Sequence, residues 1–401
     1  MTVEIKRGVA TGKVTAPPSK SMAHRNLICG AFSKGSKISG VAMSKDIEAT
    51  LSCLEGLGAR VEVCGDEVSL GGLDFSKSPK TNRIFCNESG STLRFLIPIC
   101  LLFSEEITLY GSPRLFQRPL DVYEKMCRER GLSFEYGENE VKVKGPLKSG
   151  VFHVRGDVSS QFISGLLFAL PHLEGNSEIK IVGELESASY IDLTLSALSR
   201  FGVKVERPDE KTFAICGGQS FASLCERVEG DYSNAAFFEA LNRIGGSVTV
   251  EGLDTESLQG DRVYSELFDR IEKRDFPIDI TDCPDLAPIL FAVAAAKGRG
   301  EFTGTRRLKL KESDRALVMK EELAKVGAEV TVEENSVTVF CGGITPPTEK
   351  IKKHNDHRIV MSMAVLCTLC GGTIDGVEDV SKSFPDFFER LKALGIEVTE
   401  I

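Results

Sequence analysis

Apolar and polar positions along the chain repeat one pattern several times. A stretch with the helical spacing of apolar residues ends at a glycine, and an alternating strand, a polar turn and usually a second strand follow. The pattern occurs at 53–72, 126–145, 197–218 and 322–343, and its first half occurs again at 391–400. Because a glycine directly after a helix suits left-handed backbone, we predict that these glycines are helix C-caps.

A second pattern lies upstream of each predicted helix, where a strand ends in glycine, a polar loop follows and an aspartate opens the helix. The glycines recur at intervals of 69–72 residues, with one shorter interval of 52 residues between Gly252 and Gly304. We interpret the register as six copies of one unit, each with an aspartate as N-cap or first-turn charge. The glycine–aspartate pairs are Gly40 and Asp46, Gly111 and Asp121, Gly183 and Asp192, Gly252 and Asp261, Gly304 and Asp314, and Gly376 and Asp386.

A chain of 401 residues is too long to fold around one typical hydrophobic core. We therefore predict an α/β protein in which the six units form two domains of three units each. Strands at 3–7 and 12–15 have no local partner, and we expect them to pair with the end of the chain. A single open solenoid is the alternative, but its end copies should look atypical and polar, and these do not. The predicted domains are 19–229 and the discontinuous 1–18 with 230–401, joined by a hinge near 16–20 and 228–232.

The composition of the chain argues against several classes of function and cellular location. The net charge is −9, which argues against nonspecific binding to nucleic acid or to an anionic membrane. The N-terminus lacks the apolar segment of a signal peptide, and the longest apolar stretch, 286–296, suits a buried helix. Twelve cysteines in such a chain suggest reduced thiols in a cytoplasm, and the single CxxC pair, Cys367 and Cys370, is predicted to pack inside a helix.

Cations collect at predicted helix starts, which is unexpected in an acidic chain. Helix N-termini offer free N–H groups and a positive dipole end, so added Lys and Arg side chains there predict an anion site. Capping and exposed ion pairs are the alternative explanation at each place. The clusters are Lys20, Ser21 and Arg25; Gly90, Ser91, Thr92 and Arg94 with Arg114 and Arg118; Ser159, Ser160 and Gln161; Lys311, Glu312 and Arg315 with Asp285; and His357, Arg358 and Lys382.

Two of these features are open to a second interpretation. Asp285 precedes an apolar helix, so it is either an N-cap or a base. His354 and His357 have the chemistry of metal ligands, but no carboxylate or cysteine cluster in the sequence completes a site with them, so we expect no metal. Together the cations predict a ligand that bears several negative charges, held where helix ends of both domains face one closing cleft.

Eleven motifs in order give the chain a resemblance to the 5-enolpyruvylshikimate-3-phosphate (EPSP) synthase family. They are "PPSKSMAHR", "ESGSTLRFL", "PRLFQRP", "DVSSQF", "SYIDLTL", "VEGDYSNAAFF", "LQGD", "CPDLAP", "LKLKESDR", "NDHRIVMS" and "SKSFPDFF". The resemblance implies two similar domains, each of three βαβαββ units around a pseudo-threefold axis (an inside-out α/β barrel), with the active site in the interdomain cleft. It also implies transfer of the enolpyruvyl group of phosphoenolpyruvate to shikimate 3-phosphate, by addition and elimination of phosphate, without a metal or an organic cofactor. We expect a cytoplasmic monomer whose partners are these small molecules.

The resemblance further implies a role for each matching residue. Asp285 would accept the proton of the attacking hydroxyl, and Glu312, assisted by Lys20, would protonate the methylene carbon. Shikimate 3-phosphate would be bound by Lys20, Ser21, Arg25, Ser159, Ser160, Gln161, Ser187, Tyr190, Asp285 and Lys311. Phosphoenolpyruvate would be bound by Lys20, Gly90, Arg118, Gln161, Arg315, His357, Arg358 and Lys382.

Two other functions remain open at this point. The sister enolpyruvyl transferases that act on UDP-N-acetylglucosamine begin with a Lys-Asn pair, whereas Ser21 follows Lys20 here. A noncatalytic ligand-binding protein of the same fold is the third possibility, although the presence of both Asp285 and Glu312 among the cations argues against it.

Overall fold

Two strands at the N-terminus, β1 (Thr2–Ile5) and β2 (Thr11–Thr15), pair with strands from the C-terminal half of the chain. The computed structural model, which describes residues 1–401, contains two compact units, Pro18–Glu229 and Met1–Pro17 with Gly230–Ile401. We call them the central unit and the terminal unit. Each has its own core of buried apolar side chains.

The central unit contains seven α-helices, twelve strands and a short 3₁₀ helix at Leu170–His172. In chain order, the elements are α1 (Lys20–Phe32), β3 (Ser36–Ser39), α2 (Lys45–Leu57), β4 (Arg60–Cys64), β5 (Glu67–Gly71), β6 (Arg83–Asn87), α3 (Gly90–Cys100), β7 (Glu106–Gly111), α4 (Pro113–Phe116), α5 (Asp121–Glu129), β8 (Ser133–Tyr136), β9 (Glu140–Lys144), β10 (Val151–Arg155), α6 (Ser160–Ala169), β11 (Ser177–Val182), α7 (Ala188–Arg200), β12 (Val205–Asp209), β13 (Thr212–Ile215) and β14 (Cys225–Arg227).

Three four-stranded sheets of the central unit share one topology. Their strand orders are β14-β3-β5-β4, β6-β7-β9-β8 and β10-β11-β13-β12. In each sheet the first pair is parallel and the other pairs are antiparallel. A helix connects the parallel strands of the second and third sheets, as parallel pairing requires, and a hairpin supplies the other two strands. The repeated sequence pattern therefore corresponds to a repeated structural unit.

The terminal unit contains β1, β2, six α-helices and seven more strands, with 3₁₀ helices at Gly260–Val263, Arg306–Leu310 and Val377–Lys382. The remaining elements are α8 (Tyr232–Arg243), β15 (Ser247–Glu251), α9 (Tyr264–Lys273), β16 (Ile278–Asp279), α10 (Ala287–Lys297), β17 (Arg299–Thr303), α11 (Arg315–Ala324), β18 (Ala328–Val332), β19 (Ser336–Cys341), α12 (His357–Cys370), β20 (Gly372–Asp375), α13 (Phe387–Ala393) and β21 (Val398–Glu400).

The sheets of the terminal unit have the same strand order, but two of the three sheets contain fewer strands. The order β16-β17-β19-β18 repeats it in full. The sheet β20-β1-β21 repeats it with β1 in the hairpin position, and a parallel bridge from Ile351 to Ile374 takes the place of the first strand. The copy with the short glycine interval is reduced to the parallel pair β2 and β15. The expected pairing of the N-terminal strands with the end of the chain is thus present through β1.

Six helices are buried nearly all around, namely α1, α3, α6, α8, α10 and α12. Apolar and small residues make up most of these helices, and polar side chains such as His24 and Arg25 of α1 are buried with them, whereas α2, α5, α7 and α9 are amphipathic. The predicted buried helix at 286–296 is α10. Most of the polar clusters found in the sequence lie at the N-termini of these buried helices.

Glycines end several helices as predicted, and five of the six aspartates stand at an N-cap or in a first turn as expected, the exception being Asp192. Gly58, Gly131, Gly202, Gly327 and Gly395 all have positive φ where a helix ends. Among the six aspartates, only the side chain of Asp314 accepts an N-capping hydrogen bond, from the backbone N–H of Leu317. Ser44 caps α2 in place of Asp46, and Asp192 lies inside α7, because Ser competes well as a cap and helix starts are poorly fixed by pattern alone.

Two further sequence expectations concern apolar segments. Cys367 is buried and Cys370 is half-buried at the end of α12, and all twelve cysteines are free thiols. None of the helices has the length and apolar character that crossing a membrane requires.

Candidate active site

Lys20 is the first residue of α1, and the side chain of Ser19 caps this helix by accepting from the N–H of Met22. The ammonium of Lys20 donates to Oδ2 of Asp46 at 2.7 Å, and both side chains are largely buried. This pair holds the lysine at the N-terminus of α1, where it adds charge to the positive end of the helix.

Arg25 lies one turn further along α1 and is almost fully buried. Its Nε donates to Oγ1 of Thr194 at 2.8 Å, and its two Nη atoms donate to the carbonyls of Ser21 and Tyr190. Burial lowers the pKa of Arg25 to about 10, which still leaves the group charged at neutral pH. The structure therefore brings Arg25, Ser21 and Tyr190 together and joins α1 to α7.

Gly90 and Arg118 meet at the start of α3. A Cβ atom on Gly90 would lie 2.5 Å from Nη1 of Arg118, closer than two such atoms can approach. The absence of a side chain thus lets the guanidinium lie against the N-terminal backbone of α3. An arginine and a helix N-terminus together form an anion-binding arrangement.

Gln161 links the start of α6 to the start of α3. Its Oε1 accepts from Nη1 of Arg94 at 2.8 Å, and its Nε2 donates to Oγ of Ser91 at 2.9 Å. Ser159 caps α6, and its hydroxyl accepts from the N–H of Gln161. The capping alternative considered for Ser159 is therefore confirmed, while the neighbouring Ser160 is the first helical residue.

Ser187 stands at the start of α7 with φ of 57°, a left-handed conformation that is uncommon outside glycine. It makes no side-chain cap for the helix, and Tyr190 follows it within the first turn. The predicted residues of the central unit thus lie at the starts of α1, α3, α6 and α7, with Arg118 beside Gly90.

Asp285 is the centre of the predicted site in the terminal unit. Its Oδ1 accepts from Nζ of Lys311 at 3.1 Å and from Nη1 of Arg315 at 2.8 Å, and its Oδ2 lies 3.5 Å from Nη2 of Arg358. Nη1 of Arg358 donates to the Asp285 carbonyl as well. The N-cap of α10 is Leu286, without a side-chain bond, so the N-cap interpretation of Asp285 is wrong.

These cations determine the protonation of Asp285. Burial alone would raise the pKa of this carboxyl, but the charges of Lys311, Arg358 and Arg315 outweigh burial and hold the pKa well below its ordinary value. Burial lowers the pKa of Lys311, and Asp285 opposes that effect. Asp285 is therefore ionised across the physiological range, as a proton acceptor must be.

Arg315 contacts three carboxylates at once. Besides Asp285, it donates from Nη2 to Glu312 at 2.7 Å and from Nε to Asp356 at 2.9 Å. The arginine is 1% exposed, so these contacts are made in a poorly hydrated place where charge pairing is strong. The two carboxylates with predicted proton roles, Asp285 and Glu312, are thus held by one guanidinium.

His357, Arg358 and Lys382 are buried near the start of α12. His357 and Arg358 are the first two helical residues, and Asp356 caps the helix by accepting from the N–H of Arg358. Arg358 also donates from Nη2 to Oγ of Ser233 on α8 at 2.9 Å. Lys382 donates to the carbonyl of Asn355 at 2.7 Å, which brings its ammonium to the turn before α12.

Carboxylates do lie beside one of the two histidines considered as metal ligands. The ligand-type atoms of Glu321, Glu322 and His354 lie within 4.8 Å of one another, so the expectation that no carboxylate accompanies these histidines is wrong for His354. Lys325, however, donates to both oxygens of Glu322, at 2.8 and 2.7 Å. The ammonium already supplies the positive charge that a metal would bring, so we describe the group as an ion-pair cluster.

The sequence did not predict which side chains form hydrogen bonds and ion pairs with the predicted cations. Asp46, Asp356 and Ser233 each bind a predicted site residue but were not predicted to belong to the site. The only signal available was that "NDHR" places an acid directly before two predicted ligands. The other partners are distant in sequence and come together only in the folded chain.

Comparisons with known proteins identify the family of the chain. Residues 6–391 match the family model described as EPSP synthase (3-phosphoshikimate 1-carboxyvinyltransferase). Proteins named 3-phosphoshikimate 1-carboxyvinyltransferase from Clostridium botulinum (strain Alaska E43) and Clostridium kluyveri are 40% and 41% identical; the matches cover 98% and 97% of this chain and 97% and 96% of those proteins.

Solved structures give the same result for the fold. EPSP synthase from Acinetobacter baumannii superposes with a TM-score of 0.79 at 26% identity, over 100% of both chains. The enolpyruvyl transferase NikO from Streptomyces tendae superposes with a TM-score of 0.75 at 13% identity, over 99% of this chain and 98% of NikO, and shows the fold alone. These matches confirm the predicted fold class. With a family model over nearly all residues and relatives at about 40% identity, the chain belongs to the EPSP synthase (3-phosphoshikimate 1-carboxyvinyltransferase) family.

Proposed function

We propose that this chain transfers the enolpyruvyl group of phosphoenolpyruvate to the 5-hydroxyl of shikimate 3-phosphate and releases phosphate. Membership of the family supports the reaction. The observation that carries the residue roles is Asp285, an ionised carboxylate that Lys311, Arg315 and Arg358 surround, with Glu312 on the same guanidinium. A substrate pair with two phosphates and two carboxylates needs such cations, and an addition followed by an elimination needs a base and an acid.

Shikimate 3-phosphate is assigned to the helix starts of the central unit. Arg25 and the hydroxyls at the start of α6 supply charged and neutral donors for its phosphate and hydroxyls. Lys20 and Lys311 add two further cations, and Asp285 accepts from the reacting hydroxyl. The complete proposed set is Lys20, Ser21, Arg25, Ser159, Ser160, Gln161, Ser187, Tyr190, Asp285 and Lys311.

Phosphoenolpyruvate is assigned to the arginines and to Lys382. Arg118 against the N-terminus of α3 suits one anionic group, and Arg358 with Lys382 near the start of α12 suits another. The complete proposed set is Lys20, Gly90, Arg118, Gln161, Arg315, His357, Arg358 and Lys382.

The roles that the family resemblance implies assign each proton transfer to a residue. As the hydroxyl oxygen attacks C2 of phosphoenolpyruvate, Asp285 takes the hydroxyl proton, and Glu312 with Lys20 delivers a proton to C3 to give a tetrahedral intermediate. In the elimination the Glu312 carboxylate takes a proton back from the new methyl group, and the C–O bond to phosphate breaks, so that inorganic phosphate leaves. Cations already in place stabilise the charge that develops on the departing phosphate.

The proposal extends to domain motion and assembly. The chain passes between the units twice, at residues near 16–20 and 228–232, and we assign the hinge to these two crossings. In the central unit Ser19 N–H donates to the Glu229 carbonyl, and in the terminal unit Asp231 N–H donates to that of Pro17. The proposal places the protein in the cytoplasm, which the twelve free thiols support, and takes it to be a monomer.

A phosphate-release assay tests the function against its alternatives. The purified chain receives phosphoenolpyruvate with either shikimate 3-phosphate or UDP-N-acetylglucosamine. We expect phosphate release with shikimate 3-phosphate only. Release with the nucleotide sugar alone would favour the sister transferase, and binding without release would favour a noncatalytic protein.

A further inference from the structure

The turn before α12 has an unusual backbone. His354 and Asn355 are consecutive non-glycine residues with φ of 50° and 60°. Most side chains other than glycine disfavour this left-handed region, although Asn and His enter it more readily than the others. Two such residues in succession mark a turn whose shape the surrounding contacts help to hold.

A buried ion pair holds the turn on its N-terminal side. Glu322 on α11 is fully buried, and its Oε1 accepts from Nε2 of His354 at 2.5 Å. Lys325 donates to both oxygens of Glu322 and also to the carbonyl of Lys350, and Oε2 accepts from the N–H of Lys352. Glu322 therefore ties residues 350–354 to α11, and His354 is the last link before the turn.

On its C-terminal side, the turn carries groups of the proposed phosphoenolpyruvate site. The Asn355 carbonyl accepts from Nζ of Lys382 at 2.7 Å. Asp356 caps α12 through the N–H of Arg358 and accepts from Nε of Arg315 at 2.9 Å. A change in the turn would thus move the groups that orient three of the cations.

We infer that His354 is a positioning residue: its bond to Glu322 fixes the left-handed turn that sets Lys382, Arg358 and Arg315 for phosphoenolpyruvate. The inference rests on the proposed function, since it takes those cations as ligands of that substrate. His354 acts through the backbone and through Asp356. Loss of its bond should therefore weaken phosphoenolpyruvate binding while the helix starts of the central unit are unaffected.

Two variants at this position separate the bond from the backbone conformation. His354→Asn keeps a residue that tolerates left-handed backbone but shortens the side chain beyond reach of Glu322. His354→Gln has an amide nitrogen close to the place of Nε2 and should retain the bond. We expect His354→Asn to raise KM for phosphoenolpyruvate at least fivefold and to change KM for shikimate 3-phosphate less than twofold. For His354→Gln both constants should stay within twofold of the unmodified chain.

Asn355→Val provides a second route to the same result, because a β-branched residue resists the left-handed region. It should also raise KM for phosphoenolpyruvate selectively, and it keeps the proposal testable if His354→Asn fails to fold. The matched control is His153→Asn on β10, where the histidine is exposed. Unchanged KM for phosphoenolpyruvate in a folded His354→Asn or Asn355→Val variant, or an equal rise for both substrates, would overturn the inference. Absence of turnover in the unmodified chain would instead reject the proposed function.

Discussion

Nη1 of Arg315 donates to Oδ1 of Asp285 at 2.8 Å, and the same guanidinium donates to Glu312 from Nη2. Burial would lower the pKa of Arg315, but its carboxylate neighbours raise it well above the ordinary value, so the group stays charged. One fixed positive charge therefore lies between the proposed base and the proposed acid. Each carboxylate responds to any change in the other through this arginine.

Lys311 is one of the three cations that lower the pKa of Asp285, the proposed base. The ammonium lies 3.1 Å from the carboxylate and helps to keep its pKa low. A substrate phosphate that draws Lys311 away would raise the pKa of Asp285 and make it a better proton acceptor.

Replacement of Lys311 should accordingly shift the pH profile. In Lys311→Gln one cation beside Asp285 is lost, so the pKa of the carboxyl rises. Since Asp285 must be ionised to act, we expect the acidic limb of the kcat profile to move to higher pH. The control is Lys309→Gln, an exposed lysine two residues away. An unshifted acidic limb in a variant that still turns over would contradict the assigned role.

Gly90→Ala tests the contact between α3 and Arg118. The new Cβ would lie 2.5 Å from Nη1 of Arg118 and force the guanidinium away. We expect KM for phosphoenolpyruvate to rise about tenfold, equal to the loss of about 1.4 kcal/mol of binding. Gly35→Ala is the matched control, because a Cβ there meets nothing within 4 Å. Equal KM values in the two variants would contradict the assignment of Arg118.

Both serines at the start of α6 belong to the proposed shikimate 3-phosphate site, but only Ser159 should also affect stability. Ser159 is the N-cap, so Ser159→Ala should lower the free energy of unfolding by about 1 kcal/mol. Ser160 caps nothing, so Ser160→Ala should leave stability nearly unchanged and raise KM for shikimate 3-phosphate. Urea unfolding and substrate titration measure the two effects. A Ser160→Ala variant with normal KM would remove that residue from the proposed set.

His172 should make the stability of the central unit depend on pH. Its ring stacks on Phe221 with centroids 4.9 Å apart, and burial lowers its pKa to about 4. Between the unfolded value near 6.5 and that folded value, the unfolded state binds one more proton, so stability falls as pH falls. We expect the unmodified chain to lose about 2 kcal/mol from this residue between pH 7.5 and 5.

The comparison variant for that prediction is His172→Phe, which keeps an aromatic ring in the cluster but cannot titrate. Urea unfolding at both pH values should show a smaller loss in the variant. An equal loss in both proteins would mean that His172 is protonated in the folded state at pH 5.

Much of the fold was predictable because the signals are local. A glycine after a helix is needed for positive φ, so Gly58, Gly202 and Gly327 mark helix ends in the sequence as they do in the structure. N-termini were less predictable, since Ser44 and Asp46 stand two residues apart and either type can cap. The copy that contains β2 and β15 lacks the hairpin of the other copies, so its sequence does not show the complete repeat.

Site residues were predictable where they break an apolar pattern, and their partners were not. Lys20 and Arg358 stand out because each lies in the first turn of a helix whose later residues are mainly apolar or small. The contacts of Lys20 with Asp46 and of Arg315 with Asp356 span 26 and 41 residues of sequence. No periodicity carries such information, because these pairs depend on how separate elements pack.

The central claim is that Asp285, held by its three cations, accepts the proton of the attacking hydroxyl. The most direct measurement is the rate of phosphate release from phosphoenolpyruvate and shikimate 3-phosphate by the unmodified chain, Asp285→Asn and the control Asp275→Asn, whose aspartate is exposed and paired with Arg270. Because a positioned general base contributes about 10²–10⁴ in rate, we expect kcat of Asp285→Asn to fall by about a thousandfold while Asp275→Asn keeps its activity. A kcat of Asp285→Asn within threefold of the unmodified chain would contradict the account.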